Sequence, residues 1–170
     1  DYAAGSIYSV EIDDAGNSDL VHATGAVTID SAASVHVSPE NGTDDGSTYT
    51  IGTTYTILTA DGGVTGTFGS LTDDFAFLNA SLSYDANNIY LSLLRSNVSF
   101  ASMAQTPNQR ATAFALDTIT GTNALVNAVA ATPDAFVQPT FDALSGEIHA
   151  SARTILMNDA HYLRDALNAR

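Results

Sequence analysis

Ser145, Glu147 and His149 fall within five residues, in the run Ser-Gly-Glu-Ile-His, and are the residue types from which a hydrolase is built. On one continuous helix, Ser145 and His149 would stand four apart and share a face, which permits contact. The run is not a Gly-x-Ser-x-Gly elbow, and nothing else in the sequence identifies an oxyanion hole or a pocket. The simpler expectation is structural, with Ser145 capping a helix and Glu147 placed favourably at its positive end. No enzymatic activity is expected of the chain, and no cofactor.

Paired acids are the second set of candidates. Asp13-Asp14, Asp44-Asp45 and Asp73-Asp74 offer the carboxylate oxygens that calcium prefers. None has EF-hand or nonapeptide-repeat spacing, so solvated turns are expected in their place. His22 and His36 lie on expected strands in no ligand pattern, and His161 lies beside Tyr162 on an expected helix; packing or surface roles suit them better than metal ligation. Asn41, Asn79 and Asn97 each begin an Asn-x-Ser/Thr triplet, which would mark glycosylation only in a eukaryotic secretory protein.

The 170 residues carry 19 acids against 5 bases, a formal net charge of −14, and contain no lysine. Such a surface repels phosphate backbones, which argues against a nucleic-acid partner. With no cysteine, disulfides, thiolate catalysis and cysteine-type zinc sites are excluded together. A hydrophobic content of 45% suffices for a folded core. No run approaches the roughly 18 apolar residues of a membrane-spanning helix. A start at Asp1, without methionine or leader, predicts a processed piece of something longer.

The elements that must position these residues divide near residue 98. Residues 1–98 hold 13 acids and Arg95 alone as a base, whereas 99–170 hold 6 acids and 4 arginines. The first part alternates with period two in "SIYSVEI", "GAVTI", "SVHV", "TYTIL", "ASLSYD" and "IYLSLL", separated by Gly, Asn and Asp clusters such as "DDAGNSD", "ENGTDDGS" and "DANN". Short strands of this kind suit a β-solenoid, with a sandwich as the alternative. In the second part Thr106-Pro107-Asn108-Gln109 is a capping box with proline at the first helical position, which predicts a helix over 107–119. Gly121 should end it, and Thr122 should cap a short second helix. Thr132-Pro133-Asp134 should start a third, kinked or ended by Pro139. Leu144, Ile148, Ala152, Ile155, Leu156, Leu163 and Leu167 recur at three or four, which predicts one long amphipathic helix from Leu144 nearly to Arg170. Strands followed by helices argue for segregated parts rather than a doubly wound sheet.

Several segments, taken in order, resemble the end of an autotransporter passenger, the secreted part of a bacterial outer-membrane protein. "YTILTADGGVTGTF" (55–68) looks like a strand-turn-strand of the passenger's C-terminal β-helix, and "LSYDANNIYLSL" is similar to its last rungs. "AQTPNQRATAFALD" resembles the family's Asn-Gln helix, carrying Asn108 and Gln109. "FDALSGEIHAS", with Leu144, Ser145, Gly146 and Glu147, resembles its Leu-Ser-Gly-Glu segment, and "LRDALNAR" the linker into the barrel. "GNSDLVHATGAVTID" looks like an upstream rung.

The resemblance implies a right-handed parallel β-helix end over 1–98, of the kind called an autochaperone, followed over 99–170 by a helical junction to an outer-membrane β-barrel. The barrel and an upstream effector would then lie outside this chain and be its partners, at the bacterial cell surface; the alternative is an adhesin or self-association segment, or an accessory part of a secreted protease or esterase whose catalytic domain lies upstream. In that frame Tyr55, Ile57 and Leu58 would pack a rung, Gly62 and Gly63 would permit a tight reversal, and Val64 and Phe68 would anchor the next strand. Because some autotransporters cleave themselves at an asparagine in the linker, Asn158, before Asp159, becomes a candidate cleavage site, although the Asn-Asn pair of one subgroup is absent.

Overall fold

A computed structural model describes residues 1–40 and 49–168, the side chains at 148–150, 163 and 166 excepted. Nine strands come first: β1 (Ile7–Ile12), β2 (Val21–Ala23), β3 (Val27–Thr28), β4 (Ser34–Pro39), β5 (Thr54–Ala60), β6 (Val64–Thr65), β7 (Ser70–Asp73), β8 (Leu78–Tyr84) and β9 (Asn88–Arg95). They form three sheets, ordered β1-β4-β7, β2-β5-β9-β8 and β3-β6. Strands three apart in sequence pair in parallel: Ile7 lies opposite Ser34 and Ser34 opposite Ser70, Val21 lies opposite Leu58, and Val27 opposite Val64. The chain therefore visits the three sheets in turn and returns to each one strand further along. The progression stops at β9, which pairs antiparallel with both β5 and β8.

Alternation places one face of each strand inside. Tyr8, Val10 and Ile12 of β1 are buried while Ile7, Ser9 and Glu11 are exposed, and Val35, Val37 and Pro39 repeat the pattern on β4. The expected strands are all present. Two short ones, β2 and β6, are too brief to show a period of two, and β7 is not apparent from sequence.

One expectation is corrected at Gly62-Gly63. β5 and β6 belong to different sheets, so this turn is a corner between sheets and not a reversal. The glycine at 62 is required by stacking: a Cβ there would lie 2.4 Å from the Ala26 amide nitrogen on the circuit beneath. Phe68 is also not on a strand. It lies in the link from β6 to β7 and packs against Tyr2 and Tyr8 at 5.0 and 6.4 Å between ring centres.

Four α-helices follow a 3-10 turn at Phe100–Met103: α1 (Pro107–Asp117), α2 (Ala124–Ala130), α3 (Val137–Ser145) and α4 (Glu147–Asn168). The capping box forms as expected, with the Thr106 hydroxyl accepting from the Gln109 amide and Gln109 Oε1 accepting from the Thr106 amide. Asn123, not Thr122, caps α2, because its carboxamide oxygen reaches two amides of the first turn. Pro139 neither kinks nor ends a helix. It sits in the first turn of α3, where a missing amide proton costs nothing. The single long helix expected from Leu144 is two helices, since Gly146 adopts a left-handed φ of +68° and separates α3 from α4.

The hydrophobic core runs unbroken from strands to helices. Phe77, entering β8, meets Phe100 edge-on at 4.7 Å and Phe141 of α3 at 6.3 Å, and all three are fully buried.

Candidate functional site

The junction of strands and helices gathers the polar groups that sequence reading left unassigned. Arg95 ends β9, and its guanidinium lies 4.5 Å from the Phe100 ring centre and 5.5 Å from that of Phe77. It donates to the carbonyls of Phe77 at 2.8 Å, Ser96 at 3.0 Å and Val98 at 3.0 Å. Asp117, the last residue of α1, accepts from the Ser99 hydroxyl at 2.6 Å and the amides of Phe100 and Ala101 at 2.9 and 3.1 Å. Its carboxylate caps the 3-10 turn from the far end of another helix. Burial works against ionisation of Asp117, but the hydrogen bonds from Ser99, Ala101 and Phe100, with the Arg95 charge, outweigh it and hold the carboxyl below its ordinary range. One sequence signal was available: Arg95 is the sole base in the first 98 residues.

The segments carrying Asn108, Gln109 and Leu144–Glu147 meet in space. Gln109, almost fully buried, donates from Nε2 to Asp142 Oδ1 at 2.7 Å and so ties α1 to α3. Asn108, Ser145, Gly146 and Glu147 line one cleft of about 540 Å³ together with Ser151, Thr154 and Ile155. Leu144 faces a different, apolar cleft, lined also by Leu116, Ile119 and Leu125.

This geometry removes the premise for a Ser145–His149 pair on one helix face. Ser145 closes α3 and His149 belongs to α4, across the left-handed Gly146. The Ser145 hydroxyl donates to the Asp142 carbonyl at 2.8 Å and accepts from the Glu147 amide at 3.4 Å, a helix-ending arrangement. The His149 side chain lies outside the described residues. Asn158 lies exposed in mid-α4.

The 55–68 segment is tied to several circuits at once. Tyr55 is buried, and its hydroxyl donates to the Asp13 carbonyl at 3.3 Å. Ile57 and Leu58 are consecutive and both fully buried, because a register shift between Thr56 and Leu58 turns both inward. Tyr8, one circuit below, donates its hydroxyl to the Ile57 carbonyl at 2.7 Å within the core. Gly63 holds a φ of +91°, and the half-buried Val64 donates its amide to the Ala86 carbonyl. The Phe68 amide donates to the Tyr84 hydroxyl at 3.2 Å.

The remaining candidates have local partners. Asp13 accepts from the Asn17 amide and carboxamide, both at 2.7 Å, and these bonds keep its carboxyl below the ordinary range. His22 Nδ1 lies 2.8 Å from Thr59 Oγ1, His36 Nδ1 lies 3.0 Å from Thr72 Oγ1, and His161 lies 3.0 Å from Asp165. Among the described residues no group of three His, Asp or Glu side chains is arranged to hold a metal ion. Asp44, Asp45 and Asn41 lie outside the described residues. Among the described residues no helix is long and apolar enough to cross a membrane.

No family model matches the chain. Along 98% of its length it is similar to two extracellular serine proteases of Serratia marcescens, at 28% and 26% identity over 212 aligned positions. The aligned region is 20% of each protease, so the chain spans about a fifth of the relatives it matches. What it resembles is a segment of an extracellular protein.

Proposed function

We propose that the chain is the C-terminal end of an autotransporter passenger: a non-catalytic module that helps the secreted part of the protein cross the outer membrane and fold. The observation that carries this reading is an asymmetry between the two ends of the strand stack. At one end the parallel order gives way to the antiparallel β8–β9 pair, and α3 is fastened there through Phe77, Phe100 and Phe141, with α1 tied to α3 by Gln109 and Asp142. At the other end β1 and β2 are edge strands. In this reading the strands are the last rungs of a right-handed parallel β-helix, β1 and β2 continue into an upstream passenger, and α4 leads toward an outer-membrane β-barrel. A stack propagates from a stable unit to its neighbour, so a closed end can serve as template for rungs that arrive later. Edge strands left open invite aggregation, which a helical cap prevents at the finished end.

The 55–68 segment would act as the anchor of that template, since it links the circuits above and below through Tyr8, Ala86 and Tyr84. The test is deletion of residues 55–94 from the full-length protein at the bacterial cell surface. Loss of surface display, or a displayed passenger that proteases digest, is expected; normal display of a protease-resistant passenger rejects the proposal.

A second reading draws on the relatives, which are named as serine proteases. Here the chain is the accessory part of a secreted protease whose catalytic residues lie upstream. Protease activity of the full-length protein that survives Ser145→Ala supports it, and activity lost with Ser145 rejects it.

A further inference from the structure

Besides the phenylalanine contact, strands and helices share a polar seam. The Asp134 amide, in the 3-10 turn (Asp134–Phe136) that leads into α3, donates to the Asp74 carbonyl at 2.8 Å, and Phe75 pairs with Pro133 in an isolated antiparallel bridge. Around this backbone link stand four titratable groups from three elements. His36 of β4 places Nε2 3.4 Å from Asp74 Oδ2. Asp73, at the end of β7, is half-buried and accepts from the Phe75 amide at 3.1 Å and the Ala80 amide at 3.2 Å. Asp134 completes the set from the helical side. Among the described residues no ion pair brings an arginine to these carboxylates, and the chain has no lysine.

We propose that this seam is a proton-operated latch, which tightens the grip of the helices on the strands as the medium acidifies and loosens it as the medium becomes alkaline. The inference stands apart from the secretory reading, because it concerns how two packed parts of this chain respond to pH. Three carboxylates crowd a contact that only one imidazole can neutralise. Burial raises the Asp73 carboxyl, and the Asp74 charge adds to the effect, against the lowering influence of its amide donors and His36. Burial likewise raises Asp134, followed by the charges of Asp74 and Asp73. A carboxyl whose folded pKa is raised contributes stability that is complete below its unfolded value, about 3.9 for aspartate. That contribution is lost as pH rises through the folded value.

The fold contains its own control. His22 repeats the arrangement between β2 and β5, with Nδ1 2.8 Å from Thr59 Oγ1 and Nε2 3.9 Å from Asp61, and neither His22 nor Asp61 enters the bonds of the seam.

Native-state amide exchange of the 170-residue chain, corrected for the intrinsic pH dependence of exchange, reads the latch directly. Between about pH 4 and pH 6, the window that opens at the unfolded aspartate value, protection of the Phe75 and Asp134 amides should fall severalfold relative to Val10 and Val37. Asp134→Asn keeps the backbone donor and removes a charge, so it should hold the seam at about pH 6 as closed as the parent at about pH 4. His22→Gln should leave the seam unchanged. A seam whose relative protection does not vary with pH, or one that varies undiminished in Asp134→Asn, overturns the proposal.

Discussion

Helices α1 to α3 and helix α4 come from the same alanine-rich, cysteine-free stretch, and they end in opposite surroundings. The first three bury Ala113, Leu116, Val129, Val137 and Phe141 in the core they share with the strands. Helix α4 is twice the length of α1, yet Ile155, Leu156, Tyr162 and Leu167 on its apolar side are each more than 60% exposed. Periodicity says which side of a helix would be covered; it does not say that anything in the same chain covers it. For α3 the cover includes Phe77, whereas the described apolar side chains of α4 beyond the break at Gly146 stay exposed.

The sharpest way to break this comparison is Phe141→Ala. Phe141 is fully buried against Phe77, so truncation removes the contact that holds α3 to the strands, at a cost of roughly 3–5 kcal/mol. Urea unfolding should register the loss. Limited proteolysis should show α1–α3 cut before the strand stack, and a cut that comes first within β1 or β4 would mean that the helices are not a separate cap.

A smaller effect is expected at Asp117, whose carboxylate binds the 3-10 turn to α1 by three hydrogen bonds. Asp117→Ala should destabilise by about 2 kcal/mol, the scale of hydrogen bonds to a charged acceptor. Its pH response has the opposite sign to that of the seam. The carboxyl is held below its ordinary value, so the stability it supplies is present above about pH 3.9 and is lost as pH falls through the folded value. Denaturant midpoints for parent and Asp117→Ala should therefore converge in strong acid and separate near neutrality.

The same division explains what could be read in advance. The capping box at Thr106 and Gln109 and the alternation of β1, β4 and β9 are local, and each was legible from a few adjacent residues. Gly62 reads as a turn, but that it turns a corner over Ala26 depends on a neighbour 36 residues away. The role of Gly146 was hidden for another reason, because the apolar spacing runs through it from Leu144 to Ile148 as though the helix were continuous. At the junction, Asn108, Gln109 and Ser145–Glu147 read from sequence as separate pieces. The convergence of Asn108 and Ser145–Glu147 on one cleft, the bond from Gln109 to Asp142, and the service of Asp117 and Arg95 at the 3-10 turn follow from packing that no local pattern encodes.

The smallest effect falls on α4, and it carries the comparison to its limit. Leu156→Ser replaces an apolar side chain that is 69% exposed and removes no buried contact. The stability of this 170-residue chain should therefore change by no more than about 0.5 kcal/mol, the range of ordinary surface substitutions. If α4 continues toward another part of a longer protein, the same substitution in that full-length protein should reduce surface display while leaving the strand stack as resistant to urea as before. A large loss of stability in the isolated chain would instead mean that α4 is already covered by α1–α3 in solution, and the contrast between the two sets of helices would disappear.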